Sequence, residues 1–434
     1  MKRLVLCAGA LAPFAVIWAC GTENAATPKP SASGGDATTA ETGSDAGSQK
    51  LGCGDAGPLP KRILVVQGNP KTSELSVVNV ETMAVDGRLS FESAYGVTSS
   101  VGTDPYLLAG ETDVVTRLDP REPWKAVASW NVRGDDGEDG GTPNANPVGV
   151  VPISCEKAYV LRFNRDRIAV IDPSDPAGGV PSRYIDLKAL KAQGDAKDLE
   201  MTSAVYVPEQ KRVYVLLGNA DLTKFVTSGG VTKLLCSSLK PTIIAIDSET
   251  DQLVNLGGTG MGGGIALEGY NPPLGSPLVY DASQNRLLVL HAGCNADLGD
   301  GGAGDMTRRR VEQVSLATGQ VSTLLSLDAK TFPSSLAFAS AEHAAVAFYA
   351  DGYLWDPRQT SLGAAISGGM DLIATDGRGA FIGTRQVYVD DGGTGPLEVV
   401  SVSASDAGDV KVVASDPFSQ KGGYVAGVEA WPPR

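Results

Sequence analysis

The residues with the most chemical potential lie in one short run, Gly293-Cys-Asn-Ala-Asp-Leu-Gly-Asp-Gly-Gly-Ala-Gly-Asp305. Asp297, Asp300 and Asp305 offer carboxylate oxygens, and the glycines between them let the chain turn tightly around a hard cation. Ca2+ is therefore the one cofactor the sequence suggests. The spacing lacks the twelfth-position Glu of an EF-hand, and a solvated acidic loop is the competing reading, as it is for Asp135-Asp-Gly-Glu-Asp139. Only two histidines exist. His291 continues an apolar run and His343 falls in a turn, so both read as structural or exposed rather than as general bases. No GxSxG, HExxH or Gly-Lys-Ser/Thr motif occurs. The glycine-rich run 257–264 follows no βαβ pattern and reads as a flexible loop between blades. Arg308-Arg309-Arg310 form a basic spot beside the acidic run and are expected to pair with it. Trp124, Trp130, Trp355 and Trp431 sit in or beside strand-like runs and read as packing residues.

The start of the chain reads as an export signal. Lys2 and Arg3 precede an apolar run from Leu4 to Ala19 that is too short to span a bilayer comfortably. That run ends Ile17-Trp18-Ala19-Cys20-Gly21, which resembles the lipobox of bacterial lipoproteins. The resemblance implies that residues 1–19 are a signal peptide, and that Cys20 carries a lipid and opens the mature chain. Gly21 is not the Asp that often retains such proteins at the inner membrane, so a lipid-anchored place in the cell envelope, at the outer membrane, is expected. Residues 20–57 are rich in Ala, Thr, Ser, Gly and Asp and almost free of large apolar side chains. They read as a disordered tether, with a reach of about 30–35 Å.

Removing Lys2 and Arg3 with the signal peptide takes the net charge from −14 to −16. Such acidity argues against nucleic acid and against direct adsorption to anionic lipid. Of six cysteines, four remain once Cys7 is cleaved off and Cys20 is acylated: Cys53, Cys155, Cys236 and Cys294. An even number outside the cytoplasm suggests two disulfides, with three pairings open.

The elements that must position these residues come from a repeat. One β-rich run aligns as Ser76-Val-Val-Asn-Val-Glu-Thr82, Ile168-Ala-Val-Ile-Asp-Pro173, Thr242-Ile-Ile-Ala-Ile-Asp-Ser-Glu-Thr250 and Val311-Glu-Gln-Val-Ser-Leu-Ala-Thr318. Weaker copies begin at Val115, Tyr353 and Leu397. Each closes on Asp, Asn, Ser or Thr, whose side chains start tight turns. A buried-type strand precedes each copy, as in Arg62-Ile-Leu-Val-Val66 and Arg286-Leu-Leu-Val-Leu290. Four short antiparallel strands per unit in seven units predict an all-β fold, a seven-bladed β-propeller over residues 58–434. Two packed sheets would give no reason for seven-fold recurrence.

The first unit lacks an inner strand, and Tyr424-Val-Ala-Gly-Val-Glu-Ala-Trp-Pro432 lacks a partner. The C-terminal strand is therefore expected to close the ring by completing the first blade. The segment Tyr159-Val-Leu-Arg-Phe-Asn-Arg-Asp-Arg-Ile-Ala-Val-Ile-Asp172 resembles the YVTN-type propeller repeat, which implies a fold and not a reaction.

In such a ring the loops between second and third strands share a face with the connections between blades. Residues 134–146, 219–241, 293–307 and 390–396 fall on this loop face. The same map pairs Cys236 with Cys294 in neighbouring loops, and Cys53 with Cys155 at the opposite face. Two functions follow. The first is an anchored binding or scaffold module holding a protein, glycan or cation on the acidic loop face. The second is a hydrolase or lyase of the lactonase kind with a metal in the central channel. Inner strands such as Ser203–Val207 and Pro277–Tyr280 offer few carboxylates or histidines, which favours the first.

Overall fold

A computed structural model of the chain describes residues 62–68, 73–92, 94–98, 104–119, 124–134, 144–191, 199–219, 224–228, 231–236, 239–297, 303–328, 330–348, 351–375, 379–388, 394–419 and 424–431. Within them the chain is a seven-bladed β-propeller of antiparallel sheets. From the channel outwards, blade 1 is Tyr424–Trp431, Arg62–Gly68, Ser73–Asn79 and Ala84–Phe91. Blade 2 is Ala94–Thr98, Tyr106–Ala109, Val114–Asp119 and Lys125–Asn131. Blade 3 is Pro147–Ser154, Lys157–Arg162, Arg167–Ile171 and Arg183–Asp186. Blade 4 is Met201–Val207, Arg212–Leu217, Thr242–Asp247 and Leu253–Val254. Blade 5 is Val279–Asp281, Arg286–His291, Arg310–Ser315 and Val321–Ser326, and blade 6 is Pro333–Ser340, His343–Phe348 and Asp351–Trp355. Blade 7 is Leu372–Thr375, Ala380–Tyr388, Thr394–Ser403 and Asp406–Ser415.

Burial along the strands explains their composition. In blade 1 every residue of the second and third strands is buried, because neighbouring sheets cover both faces. The outer strand Ala84–Phe91 instead alternates between exposed and half-buried side chains. Successive residues thus serve opposite neighbours. Leu64 and Val66 pack with Leu107 and Leu118 of blade 2, whereas Ile63 and Val65 pack with Ile382 and Val399 of blade 7. Apolar clusters of this kind fill all seven blade interfaces. Trp124, Trp130 and Trp355 are buried in them, as expected.

The ring closes as the sequence implied. Tyr424–Trp431 pairs antiparallel with Arg62–Gly68 from Arg62↔Trp431 to Gly68↔Tyr424, with a bulge after Val66. The buried Glu74 carboxylate reinforces the closure by accepting hydrogen bonds from the Ser419 amide at 2.9 Å and from the Ser419 hydroxyl. Ser76 and Arg88 each donate to the Pro417 carbonyl at 2.8 Å.

The turns after the third strands also match expectation. Asn79 Oδ1 accepts from the Glu81 and Thr82 amides, and Asp247 Oδ1 from those of Glu249 and Thr250. These turns, with the hairpins joining inner and second strands, form the face opposite the loops, here called the turn face.

Two expectations are corrected. Blade 6 holds three strands, not four. Among the described residues its outer edge is met only by 363–366, through the Tyr353↔Ala365 bridge and bonds such as Ile366 N to Gly352 O. The small residues Gly363, Ala364 and Ala365 offer little side chain to hold a full strand there. The run 257–264 lies within blade 4 rather than between blades. It splits the outer edge into Leu253–Val254 and Ile265–Ala266 and is folded by its own backbone bonds, including Leu256 N to Gly263 O and Gly264 N to Met261 O.

Candidate binding face

Two extra hairpins rise from the loop face between the second and third strands of neighbouring blades. Phe225–Ser228 pairs with Val231–Leu234 above blade 4, and Cys294–Asp297 with Ala303–Thr307 above blade 5. A parallel bridge, Leu235↔Asn295, joins them, with the Cys236 amide donating to the Asn295 carbonyl at 2.9 Å. The Cys236–Cys294 disulfide, with Cα atoms 4.9 Å apart, cross-links the pair, in agreement with the sequence-based assignment. Gly293 sits where the second hairpin leaves its blade, at φ +88°. A Cβ there would lie 2.4 Å from the Thr307 carbonyl, so the residue must be glycine for the strand to turn out of the sheet.

The acidic run thus becomes a hairpin rather than an open loop. Asp297 pairs through its backbone with Ala303, and Asp305 lies on the returning strand; Asp300 is outside the described residues. Cys20, Cys53 and Asp135–Asp139 are also outside them. Cys155, in the inner hairpin of blade 3 on the turn face, is disulfide-bonded. Among the described residues no group of three or more His, Cys, Asp or Glu side chains is set to hold a metal.

The arginine trio has partners within the blades. Arg308 lies over the Tyr270 ring at 5.6 Å, while Arg309 donates to the Asp328 carbonyl. Arg310 approaches Glu312 at 3.6 Å and donates to Thr323 at 3.0 Å. The side chains of Asp297, Asp300 and Asp305 lie outside the described ones.

Beneath the second hairpin lies a buried pair that sequence reading missed. His291 Nε2 is 3.2 Å from Glu312 Oε2, and both side chains are essentially inaccessible. Glu312 also accepts the Glu268 amide at 3.0 Å. Burial acts to raise the Glu312 pKa, but the hydrogen bond to His291, the imidazole charge and the Glu268 and Gly269 amides outweigh it and hold the carboxyl below its usual range. Gly269 lies so close over the imidazole that a Cβ would sit 2.2 Å from His291 Cγ. The signal was in the register: both residues stand on central strands of an apolar blade, where a polar side chain needs a partner. His343 lies at its expected turn, with Ser340 Oγ 3.2 Å from Nδ1.

The turn face carries a second feature. A groove of about 450 Å³ runs between Arg183–Asp186 of blade 3 and residues 250–253 of blade 4. Asp251, in the left-handed region at φ 59°, accepts hydrogen bonds there from Tyr159 and Arg183 and pairs with Lys157. Burial raises its pKa, but these three partners more than offset that and leave the carboxyl below its usual range. Tyr159 is driven upwards by burial and by Asp251. The cluster joins two blades and satisfies itself.

The central channel is chemically sparse along the described strands. The seven inner strands carry only two ionisable carboxyls, Asp281 and Glu429, and no histidine, lysine or arginine apart from the boundary residues beyond them. Asp281 is bound to Arg286 at 2.9 Å.

No family model matches the chain, and no curated protein matches it. Solved structures do. Hydrazine synthase of Kuenenia stuttgartiensis aligns with TM-score 0.50 and 14% identity, over 85% of this chain and 98% of that one. A functionally unknown protein from Desulfotomaculum acetoxidans aligns with TM-score 0.48 and 9% identity, over 81% and 98%. A candidate 6-phosphogluconolactonase from Bacteroides fragilis aligns with TM-score 0.48 and 11% identity, over 86% and 98%. At these identities the likeness is one of architecture, and what the chain shares with other proteins is the seven-bladed β-propeller fold.

Proposed function

We propose that the chain is a membrane-anchored extracytoplasmic β-propeller that acts as a binding or scaffold module, with the loop face as its working surface. The observation that carries this reading is the pair of hairpins cross-linked by Cys236–Cys294. A disulfide of this kind suits an oxidising compartment. It also holds two projecting segments in one relative position before any ligand arrives, which lowers the entropy cost of binding. The lipobox-like Ile17-Trp18-Ala19-Cys20 supports a lipid on Cys20 and a place in the cell envelope, at the outer membrane. A protein or glycan is the class of ligand that such a surface suits. Asp297, Asp300 and Asp305 are the residues that would offer oxygens to Ca2+ on the second hairpin.

The test is capture from the native envelope with the mature chain and with a variant in which both hairpins are cut back to short turns. A ligand retained by the first and lost by the second, with the variant's thermal unfolding still cooperative, is the expected result. Retention of the same ligand by both would sink the loop-face reading. Elemental analysis of the purified chain addresses the hydrolase or lyase alternative. A stoichiometric divalent ion that survives removal of both hairpins would move the function to the channel.

A further inference from the structure

The turns that close the third strands use a left-handed residue, and three blades supply it differently. Gly319 takes it in blade 5 at φ +70°, Met83 in blade 1 at φ 55° and Asp251 in blade 4 at φ 59°. Gly319 and Asp251 hold the same place in their turns, since their amides donate to the carbonyls four residues earlier, Ser315 and Asp247. Glycine adopts this backbone without the steric cost that a Cβ brings. Blade 4 therefore carries a carboxylate where the repeat needs only a backbone.

That carboxylate lies in the groove of about 450 Å³ between blades 3 and 4, a volume within the usual range of small-ligand sites. It is 12% exposed and gathers Lys157, Tyr159 and Arg183. Two cations thus share one anion. Lys157 is drawn inwards and also donates to the Ser248 carbonyl at 2.6 Å. Arg183 instead faces the groove, with its side chain 53% exposed. Asp251 Oδ2 accepts from Arg183 Nε at 2.8 Å and from Nη2. A guanidinium carries five N–H groups in a rigid fork, so its Nη1–Nη2 edge is left for a second, bidentate acceptor. Among the described residues nothing takes that edge. The remaining walls are mixed. Asp186, half-exposed, is bonded to Arg167 and to the Lys188 amide, and its oxygens keep lone pairs for hydroxyl donors. Such a wall repels a polyanion and suits a hydroxylated ligand with a single acid. Gln252 adds an amide and Leu253, 38% exposed, an apolar surface.

We propose that this groove is a second binding site, for a uronic acid, whose carboxylate docks on the Nη1–Nη2 edge of Arg183 while its hydroxyls and ring face meet Asp186, Gln252 and Leu253. Asp251 is a positioning residue that aims the guanidinium, and Lys157 keeps the floor positive once Asp251 is paired. The site is on the turn face and is independent of the loop-face reading.

The experiment titrates the chain calorimetrically with galacturonate and digalacturonate, and with galactose as the neutral control. Saturable binding of both acids and none of galactose is expected. Arg183→Gln and Arg183→Lys should each weaken it about tenfold, because lysine keeps the charge but loses the fork. Arg183 is half-exposed, so both variants should unfold at the wild-type temperature. Asp251→Asn separates aim from charge: it makes the floor more positive yet frees the guanidinium, so weaker binding is expected, and tighter binding would overturn the positioning role. Undiminished binding by Arg183→Lys would overturn the docking geometry even if the Asp251 variant failed to fold. No saturable heat with either acid, or equal binding of the peptide Gly-Glu-Gly, would overturn the ligand class. A chain with both loop-face hairpins cut back should bind as the full chain does, and loss of binding there would place the site on the wrong face.

Discussion

The two faces of the ring treat their carboxylates in opposite ways. On the turn face, Asp247 and Asp356 each close a third strand and accept backbone and side-chain donors, which hold both below their usual range. On the loop face, burial raises Asp113 despite the amides of Ala145 and Asn146, and pushes Asp371 up to about 6 with only the Gln386 amide to oppose it. Glu312 is the exception, since His291 lies against it. The turn face is the product of the repeat, where the residue that ends a strand also satisfies the turn. The loop face gathers the insertions, and there individual groups are held by burial or by covalent bonds instead of by a recurring motif.

That contrast can be broken in several places. The largest effect is expected from removing residues 424–434, which strips blade 1 of its inner strand and exposes the second strand as a free edge. Cooperative thermal unfolding should disappear; a sharp transition in the truncated chain would mean that closure is ornamental. Replacing Cys236 and Cys294 together with serine should lower stability by about 2–4 kcal/mol. Urea unfolding reads this, and hydrogen exchange should quicken in Phe225–Ser228 and Ala303–Thr307 while the blades stay protected.

The Asp371→Asn variant tests the loop-face acid. Because its folded pKa is raised, the wild-type chain is favoured below the unfolded value near 4 and loses that advantage as pH rises through about 6. The variant should therefore match wild type at pH 4 and exceed it by roughly 2–3 kcal/mol at pH 7.5. A difference that does not change with pH would refute the assignment. The smallest effect is expected on the turn face. Asn79→Ala removes the acceptor for two amides and should cost about 1 kcal/mol by thermal melting.

Much of this molecule was legible in the residues. Runs such as Arg62-Ile-Leu-Val-Val66 are apolar on both sides of the strand, and in a chain this size that signals sheets covered on both faces. The Asp, Asn and Pro closures marked the turns because a side chain two or three residues from the amide it caps makes a local interaction. The unpaired strand at the C-terminus announced ring closure, and the spacing of Cys236 and Cys294 within equivalent loops announced their bond. Local pattern and repeat were sufficient for each of these.

The rest depended on partners distant in sequence. Arg308 lies over Tyr270 and Arg309 donates to Asp328 because the fold brings residues 38 and 19 positions away alongside them. Asp251 joins Lys157, Tyr159 and Arg183 across 68 to 94 positions only because two blades stand side by side. Sequence by itself determined the blades and the order in which they close, since periodicity and turn chemistry act over a few residues. Only the tertiary structure decided which charges meet and how deeply they are buried, because Coulomb interaction and desolvation depend on distance in space.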